Sequence, residues 1–134
     1  MVGVAAALVL TVSIHAAGAT GVRIALSATV EMQCGWPGPR VEVVFPAAER
    51  MPAQIAPAAV LVDGKRPASV TRSGRTISIS IARPGGVMCD VIGPGRLHVV
   101  FTQAAHLGNP TRAGHYRLAV RHGAETASGA FSIR

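Results

Sequence analysis

At 134 residues and a formal net charge of +7, the chain is sized for a single domain and strongly basic, with arginine supplying all but one of its 13 cations. Its aromatic side chains, Trp36, Tyr116 and three phenylalanines, are too few to give the stacking platforms that hold single-stranded nucleic acid, so nucleic acid is not expected as a partner. Charge of this sign instead favours anionic wall polymers, acidic glycans or lipid headgroups by long-range attraction.

The first element is apolar. Residues 2–14 are interrupted only by Thr11 and Ser13 and are followed by small residues, the pattern of a signal-peptide core and its cleavage site. Ala17-Gly18-Ala19 satisfies the small-x-small rule and places cleavage after Ala19. The usual basic leader is missing, since the first charged side chain is Arg23. The alternative for residues 1–19 is a weak membrane anchor, but a span needs roughly 17 or more strongly apolar residues. The Ala/Gly content and His15 make this one poor, so no stable transmembrane span is expected in the mature chain. The domain proper is residues 20–134, which keep every charged side chain, and the expected location is secreted or cell-surface associated.

Beyond residue 20 the period is two, the mark of half-buried strands. Val22, Ile24, Leu26, Ala28 and Val30 alternate with smaller or polar residues. The same rhythm recurs at Val41–Phe45, Ile77–Ile81, Leu97–Phe101, Tyr116–Val120 and Phe131–Ile133, with short candidates at "AVLV" and "ASV". Turn signals stand between them: "VDGK", "RSGR", "ARPGG", "IGPG" and "GNPTRAG". The one stretch of helical length, "FPAAERMPAQIAPAA", holds three prolines, each of which removes a donor from a helix. The pattern predicts an all-β fold, a single antiparallel β-sandwich of seven to eight strands.

The succession "VVFP", "VLVDG", "SGRTISI", "IGPG" and "LGNPTRAGHYRLAV" resembles the Ig-like β-sandwich modules of secreted and surface-attached bacterial proteins, most specifically at residues 107–120. The resemblance implies an Ig-like topology and a tyrosine corner, in which the Tyr116 hydroxyl bonds main chain a few residues upstream. Many such modules lack cysteines, so the pair here is a departure.

Cys34, in "EMQCGWPGPR", has no second cysteine at redox-motif spacing and no histidine or cysteine at zinc-ligand spacing. In an exported chain its partner is Cys89, 55 positions on, and a disulfide is expected. Trp36 has two readings: a cap folded over that bridge, or a platform on a stiff Gly/Pro loop for a sugar or a partner's side chain.

For catalysis the sequence offers nothing. The acids Glu31, Glu42, Glu49, Asp63, Asp90 and Glu125 are scattered singly, no serine sits in a nucleophile elbow, and no Gly-rich loop opens a helix. No enzyme activity, cofactor or metal is expected. The one metal alternative is His98 facing His115 on neighbouring strands, which lacks a third ligand. Arg117, Arg121 and His115 share one strand face and are, with Trp36, the candidate binding residues. The expected partner is an anionic cell-wall polymer, a glycan or another envelope protein; the alternative is a spacer domain with no specific ligand.

Overall fold

The computed structural model describes residues 6–83 and 89–134. Nine strands follow in order: β1 Ala6–Val12, β2 Ile24–Gln33, β3 Arg40–Val44, β4 Val60–Val62, β5 Ser69–Ser73, β6 Thr76–Ser80, β7 Ile92–Phe101, β8 Gly114–His122 and β9 Glu125–Ile133. Two single 3-10 turns, Pro57–Ala59 and Gln103–Ala105, are the helical content. No helix among the described residues is long and apolar enough to cross a membrane.

The strands make two antiparallel sheets, β4-β7-β2-β1 and β9-β8-β3-β6-β5, whose edges meet where Ala6 and Ala7 of β1 pair in parallel with Ala127 and Ser128 of β9. Each strand forms for the reason its period gives. Along β2, Ile24, Leu26, Ala28, Val30 and Met32 are buried, while Thr29, Glu31 and Gln33 face water. Val41 and Val43 of β3, Ile77 and Ile79 of β6, Leu97 and Val99 of β7, and Leu118 and Val120 of β8 bury the matching faces in one apolar cluster. Phe45 and Phe101 meet edge to face in it, ring centroids 5.5 Å apart.

The segment read as a signal peptide has a place in this architecture. Residues 8–12 pair with Ile24–Ala28 of β2, and Leu8 and Val12 are buried. Gly129 lets β1 approach β9, since a Cβ there would sit 2.9 Å from the Leu8 carbonyl oxygen. The loop that follows is bonded throughout: Ala17 N–H donates to Arg134, Gly18 to Pro110, and the N–H of Asn109 to Ala19.

One turn expectation changes. "IGPG" is not a turn: Ile92–Gly95 extend β7 and pair with Val30–Gln33 of β2. Pro94 is tolerated because β4 pairs with β7 only at Val99–Phe101, which leaves its missing donor on a free edge. The Met32 side chain lies over Gly95, where a Cβ would displace its sulfur. The "ARPGG" turn signal lies partly outside the described residues. The Asp63-Gly64 turn forms as expected, both residues at positive φ, 50° and 79°.

Candidate functional site

Strand β8 carries the candidate binding residues outward because its inward parity is taken by Leu118 and Val120. His115, Arg117 and Arg121 are all exposed on that face, as the second, fourth and eighth residues of the strand, so the two guanidiniums originate about 13 Å apart. Short polar side chains surround them. His115 Nδ1 lies 2.9 Å from Ser132 Oγ, and Arg117 donates to Ser128 Oγ at 3.3 Å. Arg121 stands 3.9 Å from the Glu42 carboxylate, an exposed pair that holds the guanidinium weakly. Further along the same sheet, the outward positions of β5 and β6 are all hydroxyls, with Ser69, Thr71 and Ser73 in register with Ser80, Ser78 and Thr76. The face is cationic and hydroxyl-lined.

Trp36 lies elsewhere, at the end of the other sheet. Gln33 and Trp36 exchange both main-chain hydrogen bonds at 3.0 Å across a turn in which Cys34 and Gly35 have positive φ. Cys34 and Cys89 form a disulfide, Cα atoms 5.9 Å apart, beside the end of the β2–β7 ladder. The indole is half-buried, with the Arg83 guanidinium 5.3 Å from its ring centroid. Trp36 is thus not grouped with the β8 residues, and a cation already covers one of its faces. Val91 and Ile92, 70 % and 62 % exposed, flank the same bridge and make this end of the molecule apolar.

The histidine pair does not form. His98 is on β7 and His115 on β8, strands of different sheets, because β7 pairs with β2 and β4 whereas β8 pairs with β9 and β3. Among the described residues no group of three metal-ligating side chains occurs. A groove of about 730 Å³ runs between residues 53–57, β5 and His106, with Arg72 on its wall. That guanidinium is occupied by the carbonyls of Gly74, Met51 and Pro52.

Charge is distributed asymmetrically with depth. All 13 basic side chains are exposed. Of the six acids, Glu49 is buried, and desolvation pushes its pKa from 4.5 up to about 8. At neutral pH it therefore adds little negative charge, and the surface is more cationic than the formal count. The sequence could not reveal this, since Glu49 sits in a proline-broken loop without any period.

No protein-family model matches the sequence, and no curated protein matches it. Among solved structures the chain is similar to the crystal structure of BslA, described as a bacterial hydrophobin, with a TM-score of 0.60 and 15 % identity over 96 % of this chain and 98 % of that one. At that identity the likeness is one of fold, and its coverage is too complete to leave out strand β1.

Proposed function

We propose that this chain is an exported, non-catalytic Ig-like β-sandwich that adheres to an anionic component of the cell envelope, a wall polymer, glycan or acidic envelope protein, through the outer face of β8. The observation that carries this reading is the grouping of His115, Arg117 and Arg121 on one hydroxyl-bordered strand face. Cations on a rigid sheet attract polyanions without ordering long loops, so little conformational entropy opposes the contact. The disulfide supports an extracytoplasmic location, since such bonds persist in oxidising compartments. The apolar segment 1–19 is the proposed export signal, and the bond from Tyr116 to Arg112 supports the Ig-like assignment.

A second reading rests on the exposed Val91 and Ile92 beside the bridge. The solved structure similar in fold is described as a bacterial hydrophobin, and on this reading the present molecule acts by adsorbing its own apolar end to a surface.

Co-sedimentation with purified cell wall at low and high salt tests both. Under the first reading, retention is salt-sensitive and the double variant R117S/R121S weakens it about tenfold at low salt, while V91S/I92S has no effect. Salt-insensitive adsorption lost only in V91S/I92S would establish the second. No retention by any variant would leave a spacer domain.

A further inference from the structure

Arg50 and Gly108 exchange both main-chain hydrogen bonds, 2.9 and 2.8 Å, in an isolated antiparallel bridge. The bridge is isolated, and the next residue on each chain beyond it is Glu49, which sits in a bend with its N–H donating to the Pro46 carbonyl, and Asn109, whose N–H donates to the Ala19 carbonyl. Both are buried, at 8 % and 0 % exposure. Asn109 Nδ2 donates to the carbonyls of Ile14 and Ala16 at 2.6 and 3.0 Å, which fixes the amide and turns its Oδ1 away from them. Among the described residues that Oδ1 has no partner, and neither carboxyl oxygen of Glu49 has one. An ionised Glu49 would bring three acceptors together with no donor, an arrangement costly in a buried site.

We propose that Glu49 is held as the neutral acid and donates its hydroxyl to Asn109 Oδ1, so that one proton locks the segment 14–19, and with it strand β1, onto the domain. The proton completes a chain of bonds from Glu49 through Asn109 to Ile14 and Ala16, and the same segment holds the Ala17–Ala19 site at which export cleavage is expected. Burial alone pushes the Glu49 pKa up to about 8. Charged or titratable side chains on the segments bonded around it include Arg50, Arg72, His15, Arg112 and Arg134. Arg50 is taken by the Gly18 carbonyl, Arg72 by those of Met51 and Pro52, and His15 by that of Ser132. The ion pairs among the described residues, Arg121–Glu42 and His122–Glu125, do not include Glu49.

Because the folded pKa lies above the unfolded one, the closed form is fully favoured below about 4.5, weakens as pH rises, and loses the contribution above about 8. The test uses the full 134-residue chain and its E49Q variant, whose amide donates to Asn109 at every pH. Hydrogen exchange at the Ala17 and Gly18 amides gives an opening constant for each protein, and the ratio of wild type to variant cancels the intrinsic pH dependence. That ratio should rise roughly tenfold per pH unit between about 5 and 8. In wild type, carbon-13 NMR should show the Glu49 carboxyl titrating near the upper end of that range, with the Asn109 side-chain amide moving at the same midpoint. This readout serves also if the variant fails to fold. A flat ratio, a Glu49 midpoint in the ordinary carboxylate range, or an Asn109 amide that does not follow Glu49 would each overturn the lock.

Discussion

The hydroxyl of Tyr116 donates to the Arg112 carbonyl at 2.7 Å, and its ring lies 5.8 Å from that of Phe131 on the neighbouring strand. The bond fastens the 107–113 connection to the start of β8. Replacing Tyr116 by Phe keeps the ring contact and removes the bond, so stability should fall by about 1 kcal/mol, seen as a lower urea midpoint with unchanged slope. This role was legible in the sequence because the position of a tyrosine entering a late strand is local information. The role of Asn109 was not. In "GNP" it reads as a turn former, yet it is fully buried and its amide holds carbonyls more than 90 positions away, a contact no local pattern encodes. Trp36 falls between: the Gly/Pro loop announced a stiff turn, while the Arg83 guanidinium over the ring could not be foreseen.

Eight of the nine strands among the described residues correspond to apolar alternations or short apolar runs in the sequence, because most bury one face and leave the other in water; β5, an edge strand with no buried residue, answers only to the short run "ASV". Strand β1 escaped that rule. The run that contains its start, residues 2–10, is apolar on both parities and so reads as a leader, although in the fold the strand lies between β2 and β9 with Leu8 and Val12 buried and Val9 and Thr11 exposed. A chain cut after Ala19 would lose five paired residues on β2 and the burial of Leu8 and Val12. It would also strip Asn109 of the acceptors for both its side-chain donors. Residues 20–134 made alone should therefore be less stable than the full chain by about 3 kcal/mol or more, from burial of the two side chains at roughly 1.5 kcal/mol or more each. Denaturant midpoints of the two proteins decide it; equal midpoints would mean that β1 contributes nothing to the folded body.

At the scale of the molecule, the stabilising bridge and the proposed adhesive face are separated by topology. Cys34 and Cys89 close a 55-position loop, and they lie just past the point where Gln33 pairs with Ile92 at the end of the ten-residue β2–β7 ladder. His115, Arg117 and Arg121 belong to the other sheet, supported by β9 and β3. On the chain-entropy estimate the bridge contributes about 4 kcal/mol, which for a domain of this size corresponds to a fall in Tm of about 10 °C on reduction. The ladder itself persists, because its pairing does not depend on the bond, so far-ultraviolet circular dichroism below the new Tm should be unchanged. Retention on anionic cell wall, measured there at low salt, should also survive reduction, since His115, Arg117 and Arg121 lie on a different sheet from the β2–β7 ladder beside the bridge. Loss of retention with the strands intact would place the adhesive contact at the Trp36, Val91 and Ile92 end instead, where the disulfide sets the shape of the surface.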